Sequence, residues 1–432
     1  MNIPESNLPR IVIIGGGFGG LRLARALKGK PFQVLLLDKH NYHTFQPLLY
    51  QVATAGIEPD SIGYPLRKIF EGQKDFFFRL AEVQHIDAQL KQVDTSIGSL
   101  KYDKLILATG SGTNFFGNNE LEANAMSMKS IPEALDIRSL LLQNFEQALL
   151  TKDLDERQAL MNVVIVGAGP TGVELAGALS ELRKHILPKD YPDLDVRRME
   201  VHLIESAPQV LAAMSDESSK DALAGLEELD VLVWLDTFVE SYDGKKAITK
   251  DGKEFLAHTL IWAAGVKGET VEGIQPTAIV RGNRIAVNQF NEVLEMNDVF
   301  AIGDVAAMID EANPRGHAMV AQVAIQQGER LAKNFILESK KKDRVPFVYN
   351  DLGSMATIGR NKAVVDLPKK HFKGIFAWMV WLFVHIMQLV GFRNKLLVLM
   401  NWTYSYFRYA RDTRLIIRPF KKKISDDIPQ PS

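Results

Sequence analysis

The sequence predicts an α/β chain of two Rossmann-type dinucleotide-binding domains followed by a C-terminal membrane-associating helical region. Three observations carry that reading. Two segments about 150 residues apart repeat the order apolar strand, glycine cluster, helix: IVII-GGGFGG-LRLARALKG and NVVIV-GAGPTG-VELAGALSEL. Each is followed by a second apolar run ending in an acid, QVLLLD at Asp38 and VHLIE at Glu205. Beyond Pro346 the composition changes to apolar, aromatic and basic.

A length of 432 residues sets a prior of two or three domains. Apolar residues at 46% and charged residues at 24% describe an ordinary globular protein. A net charge of −1 gives no electrostatic case for nucleic-acid binding. That total hides an asymmetry: Gly374–Lys423 holds nine Lys/Arg against the single acid Asp412, a local +8 that leaves −9 on the remainder. Cysteine is absent, which excludes structural disulfides, thiolate zinc, iron–sulfur ligation and a redox Cys-x-x-Cys pair. No metal is expected, and no EF-hand pattern suggests calcium regulation. The start, MNIPESNLPR, shows no basic-then-apolar signal, so the body is expected in a bacterial-type cytoplasm.

The β-branched runs bounded by glycine fit buried parallel strands. Gly15, Gly17 and Gly20 have the G-x-G-x-x-G spacing that delivers a pyrophosphate to a helix N-terminus, where N–H groups and the dipole meet the anion. Asp38, 23 residues after Gly15, stands where a carboxylate accepts from a ribose. The second cluster, Gly167, Gly169 and Gly172, repeats the spacing, but Glu205 comes 38 residues after Gly167 because HILPKDYPDLDVRR lengthens the connection. A carboxylate there favours a free 2′-OH, hence NADH over NADPH. Further strands are expected at Leu105–Thr109, Thr259–Ala263 and Val299–Ile302, with Ala108–Gly110, Ala263–Gly265 and Gly303–Asp304 reaching a common cofactor face.

Two such folds imply two nucleotides, a resident FAD on the N-terminal half and an exchanging NADH on the second. Hydride transfer is then the chemistry of the cofactors, and the protein supplies position and electrostatics. Glu174 is the carboxylate placed to reach the flavin–nicotinamide junction, the alternative being a first-turn acid that complements the helix dipole. Asp304 faces a flavin on this reading and is a turn carboxylate on the other. The division expected is 1–120 and 271–345 for FAD, 121–270 for NADH and 346–432 for the tail.

With no cysteine pair to accept electrons, the tail suggests the acceptor. The 16 residues Ile375–Val390, at about 1.5 Å each, fall short of a ~30 Å hydrocarbon core, so the segment is expected to lie in or dip into one leaflet. Its first part, Ile375–Val384, is apolar on all faces. The stretch from Phe392 interleaves apolar and aromatic residues with Arg393, Lys395, Arg408, Arg411 and Arg414, as an interfacial helix on anionic lipid would. Trp378, Trp381 and Trp402 fit an interfacial belt. The alternatives are a homodimer surface or a buried domain helix.

The combination resembles the type II NADH:quinone oxidoreductases, single-chain relatives of the disulfide-reductase-like flavoprotein fold. Its most specific elements are HNYHTFQPLLYQVATAG (His40–Gly56), GPTGVELAGAL (Gly169–Leu179), AIGDVA (Ala301–Ala306) and AQVAIQQG (Ala321–Gly328). The resemblance implies cofactor contacts at Gly15, Gly17, Phe18, Gly19, Gly20, Asp38, Lys39, Val83, Ala108, Thr109, Gly110, Gly303, Asp304, Ala321 and Gln322, with Gln46 and Pro47 lining the isoalloxazine. It implies NADH contacts at Gly167, Gly169, Pro170, Thr171, Gly172, Glu205, Ala264 and Gly265, Glu174 beside the flavin, and Gln322 and Gln326 flanking the quinone head group. At i and i+4 the two glutamines share a helix face, the alternative being solvated or backbone-capping amides. Some members place a C-terminal lysine at the quinone site, and no residue is assigned to that role.

The activity implied is NADH oxidation through FAD with reduction of a membrane quinone, without proton pumping, in a respiratory chain, by a monotopic protein on the cytoplasmic face of the inner membrane. Two competing readings are an NADH-dependent reductase of a soluble electron carrier and a slowly turning-over, membrane-docked NADH-sensing flavoprotein.

Overall fold

The strand Arg10–Ile14 seeds the first sheet because Ile11, Val12 and Ile13 have no exposed surface and are covered on both faces. The computed structural model describes residues 1–408 and 413–421, and its contacts divide the chain into two units. Unit 1 takes Met1–Thr44, Tyr64–Gly112 and Val266–Asp351. Unit 2 takes Phe45–Gly63, Thr113–Gly265 and the described part of Leu352–Ser432.

Unit 1 is built on a parallel sheet in the order Val299–Ala301, Lys104–Leu107, Arg10–Ile14, Gln33–Asp38, Phe76–Leu80. Ile14 pairs with Leu37 and Leu107, and Leu107 with Ala301, so the strands end level with one another. The expected strands at Leu105–Thr109 and Val299–Ile302 stop earlier, at Leu107 and Ala301, where the chain turns off the sheet toward the glycine loop. The helices Phe18–Ala26 and Ala321–Ser339 pack on each other in this unit.

Unit 2 repeats the plan with four parallel strands, Leu232–Trp234, Val201–Ile204, Val163–Val166 and Thr259–Trp262. The last of these ends one residue short of the expected Ala263. The helix Pro170–His185 follows the second glycine loop. An antiparallel sheet, Ser354–Gly359, Lys362–Leu367 and Lys370–Lys373, then feeds two tail helices, Gly374–Gln388 and Phe392–Arg408. Gly177 lets that sheet lie against the Pro170–His185 helix, since a Cβ there would fall 1.7 Å from the Ile358 carbonyl oxygen.

The unit boundaries fall at 112/113, 265/266 and 351/352, against 120/121, 270/271 and 345/346 in the sequence reading. Residues 45–63, read with the FAD part, group with unit 2. Their short helix Leu49–Ala53 buries Leu49, Tyr50 and Val52 against the helices Ile131–Leu150 and Pro170–His185.

The tail corrects two expectations and refines a third. The first tail helix, apolar on all faces as read, divides them between two surroundings: it buries Ala377 and Trp381 and exposes Ile375, Phe376, Met379, Phe383 and Met387. The tryptophans are not an outward belt, because Trp381 is 1% exposed and the Trp402 indole donates to Gln51 Oε1 at 2.8 Å. The tail cations are only partly available to a lipid surface. Arg414 pairs with Asp190, Arg418 with Asp136 at 2.5 Å, and Lys395 donates to the Met387 carbonyl at 2.8 Å. Arg393 lies 3.8 Å from Asp60. The Arg408 side chain and Arg411 lie outside the described residues. No described helix is long and apolar enough to cross a membrane.

Candidate dinucleotide sites and a buried carboxyl

Both glycine loops are built the same way. Gly15 and Gly167 take φ of +103° and +104° and donate to Leu37 O and Ile204 O at 2.8 Å. The third glycine closes each turn: a Cβ on Gly20 or Gly172 would lie 1.9 Å from the carbonyl oxygen of Gly15 or Gly167. The middle glycines, Gly17 and Gly169, cap the two helices, and a Cβ on either would meet nothing within 4 Å. That open space in front of a helix N-terminus fits a pyrophosphate.

The two acids clamp these loops alike. Asp38 accepts from Gly16 N at 2.6 Å and His40 N at 2.7 Å, and Glu205 accepts from Ala168 N at 2.7 Å and Ala207 N at 2.9 Å. The late position of Glu205 is absorbed before the strand, where the insertion forms the turn of helix Leu187–Asp190 and the 3-10 turn Val196–Arg198. Ile204 then pairs with Val166 as Leu37 pairs with Ile14.

Around the first loop, Phe18 meets His43 edge-on at 5.2 Å, and His43 Nδ1 contacts Gly16 O at 2.9 Å. Burial holds His43 neutral, its pKa down to about 4. Gly19 and Gly20 are buried in the helix, while Lys39 is exposed. Ala108, Thr109 and Gly110 follow the strand end, and Thr109 Oγ1 donates to Glu269 O. Ser111 Oγ donates to Asp304 Oδ2 at 2.6 Å, and Gly303 N donates to the buried Gln327 Oε1 at 2.7 Å. Ser111 and Gln327 were not singled out in the sequence, because a lone Ser or a third glutamine carries no spacing signal. Val83 opens the strand Val83–Asp87, two residues after Ala81 N donates to Asp38 O.

Ala321 opens the helix that carries the glutamines. Gln326 is committed to the backbone of Asn350, donating to its O at 2.9 Å and accepting from its N at 3.0 Å, which is the capping alternative. Gln322 makes no side-chain hydrogen bond among the described residues and is half-buried.

In unit 2, Pro170, Thr171 and Ala264 are exposed at the loop, and Gly265 lies under Phe116, whose ring would be 2.7 Å from a Cβ there. Gln46 is exposed, its amide 3.4 Å from Lys129 O, with Pro47 beside it in a short 3-10 turn. Glu174 is not a first-turn acid. The helix starts at Pro170, and Glu174 lies beyond its first turn, 8% exposed. Its Oε1 accepts from Trp381 Nε1 at 3.2 Å and Thr357 N at 3.4 Å, and burial pushes its pKa up to about 8. The carboxyl lines a cavity of about 110 Å³ whose walls include Tyr50, Gln51, Trp378, Trp402 and Arg360. Among the described residues, no lysine lines this cavity. The tail's contribution to this site is not legible in its composition, because aromatic residues in an apolar run suit a lipid face and a buried wall equally.

Comparisons with known proteins give the family and the fold. Residues 9–328 match the pyridine nucleotide-disulphide oxidoreductase family, and residues 352–412 match the NDH2 C-terminal domain. Two type II NADH:quinone oxidoreductases of Mycobacterium tuberculosis, Ndh and NdhA, are 36% and 38% identical, each over 93% of this chain and over 89% and 88% of their own. The chain belongs to the type II NADH:quinone oxidoreductase family. An NDH2 of Plasmodium falciparum, solved in complex with NADH, shares the fold with a TM-score of 0.86 at 20% identity, covering 95% of this chain and all of that one. The sulfide:quinone oxidoreductase of Aquifex aeolicus also shares the fold, with a TM-score of 0.68 at 20% identity, covering 90% of this chain and 92% of that one. As a type II NADH:quinone oxidoreductase the protein is a respiratory flavoenzyme, and its family binds FAD and NADH. The C-terminal match sets aside the soluble-carrier reductase, and the family assignment sets aside the sensor.

Proposed function

We propose that the Gly15–Gly20 loop with Asp38 holds FAD, that the Gly167–Gly172 loop with Glu205 holds NADH, and that the electrons pass to a membrane quinone. The observation that carries this is the duplicated clamp, two open glycine loops each fixed by a strand-end carboxylate. FAD held there would supply the redox chemistry between NADH and the acceptor. The chain's own part is positional. Loop N–H groups meet the pyrophosphates, Glu205 accepts from the ribose hydroxyls, Asp304 and Ala108–Gly110 border the flavin side, and Gln46 and Pro47 line the isoalloxazine. Glu174 is the acid beside the reacting rings, and Gln322 flanks the quinone, while Gln326 holds the Asn350 backbone.

The exposed stripe Ile375, Phe376, Met379, Phe383 and Met387 supports a monotopic seat on anionic lipid at the cytoplasmic face of the membrane. A second copy of the chain is the other occupant that stripe suits.

Loop assignment is tested by filling each open space. A Cβ at Gly17 or Gly169 meets nothing within 4 Å, so Gly17→Val and Gly169→Val should both fold. The first should purify without FAD; the second should keep FAD but lose NADH binding at least tenfold. A yellow Gly17→Val protein with full flavin content refutes the FAD assignment.

A further inference from the structure

The two hydrogen bonds to Glu174 reach one oxygen. Trp381 Nε1 and Thr357 N both donate to Oε1, and Oε2 takes no hydrogen bond among the described residues while the side chain lines the cavity. When the carboxyl is protonated, the oxygen that accepts both N–H donors is its carbonyl oxygen, which leaves the proton to Oε2. The Trp381 ring is itself held. His385 stacks on it at 4.0 Å and 25°, with Nδ1 2.8 Å from the Trp381 carbonyl oxygen, and Trp402 lies 5.6 Å away on the next helix. A donor ring held by two aromatic neighbours does not reorient freely when a ligand arrives.

We propose that Trp381 is a positioning residue for Glu174: its indole N–H, with Thr357 N–H, pins Oε1 so that the carboxyl presents Oε2–H to an oxygen of the ligand in the cavity. The inference rests on the reading that Glu174 acts in the reaction. The indole is a neutral donor, so it orients the acid without the charge of an ion-pair partner, in keeping with the carboxyl's elevated pKa. The other ionisable groups around the cavity are Glu181 on the same helix, Tyr50 on Leu49–Ala53, Arg360 at the hairpin turn, His385 on the Trp381 helix and Tyr406 on the last helix. Arg360 spends its guanidinium on the carbonyls of Ser405 and Tyr406 at 2.9 Å and its N–H on Glu181 at 2.5 Å. Burial holds His385 down at about 4, so it adds no charge near neutrality.

The test is the pH profile of flavin reoxidation by a water-soluble short-chain quinone in the FAD-loaded full chain, for wild type, Trp381→Phe, Glu174→Gln and the double variant. Wild type should show a break that Glu174→Gln abolishes. Trp381→Phe removes a donor to the carboxylate, so the break should move up by roughly 0.5 to 1 pH unit, with reoxidation slowed several-fold. In the Glu174→Gln background, Trp381→Phe should move nothing further. A Trp381→Phe profile that overlays wild type overturns the proposal while leaving Glu174 in place. A wild-type break that survives Glu174→Gln removes Glu174 from the reaction and the proposal with it. A second measurement does not depend on the Phe variant folding. Of the five tryptophan indole N–H resonances, one should titrate in the wild-type holoenzyme and become pH-independent in Glu174→Gln. If none does, Trp381 does not hold the carboxyl.

Discussion

Glu205 and Glu174 are both carboxylates of unit 2, and their surroundings set opposite tasks. Glu205 accepts two backbone N–H bonds at the loop, which fix its carboxyl as an acceptor there. Glu205→Arg should turn a group that repels a 2′-phosphate into its partner, shifting the NADPH-to-NADH preference by at least about tenfold. It also releases Ala168 N, so the ratio and not either rate is the readout; an unchanged ratio removes Glu205 from the ribose site. Glu174 is buried, and its folded pKa of about 8 lies above the ordinary 4.5. The folded state therefore holds a proton that the unfolded state has lost between those values, and stability falls as pH rises from about 4.5 to 8, with a total on the order of a few kcal/mol. Glu174→Gln removes that slope, so its melting temperature should gain on wild type across this window and hold a constant lead above it. A lead that is the same at pH 5 and pH 8.5 would show that Glu174 does not titrate there. The strand-end acid was legible in the sequence because an apolar run stopping at a carboxylate after a glycine loop leaves few alternatives. Glu174's partners were not, since they arrive from about 180 to 210 residues away.

Among the elements, the first tail helix shows where composition stops informing. Its residues read as apolar throughout, and only packing divides them into a buried Ala377–Trp381 side and an exposed side of Ile, Phe and Met. Truncation at Gly374 would strip Trp381 from Glu174 and Trp402 from Gln51, and Asn394 from the carbonyls of Asp60 and Gly63, so the deleted protein should be insoluble. Point substitution on the exposed side isolates docking. Phe383 is 66% exposed, and Phe383→Glu should weaken binding to anionic liposomes by about tenfold or more, the loss of one inserted aromatic, with activity toward a water-soluble quinone unchanged. Liposome binding equal to wild type would assign the stripe to another partner, such as a second copy of the chain.

For the whole molecule, the two-sheet plan was legible because each half carries its own strand, loop, helix and acid in order. The division of the chain was less so. Residues 45–63 lie within the first half in sequence but pack with unit 2, a choice made by Tyr50 and Val52 that no local pattern announces. The acceptor side was half legible: the AQVAIQQG helix is present, yet Gln326 is held by Asn350, which leaves Gln322 as the cleaner probe. The most direct test of the account is an anaerobic two-step mixing experiment on the FAD-loaded protein, NADH first and a short-chain quinone second, followed by flavin absorbance in wild type and Gln322→Leu. NADH should bleach the flavin at the same rate in both, and quinone should restore it, at least about tenfold more slowly in the variant. A wild-type flavin that NADH reduces and quinone leaves reduced would contradict the account.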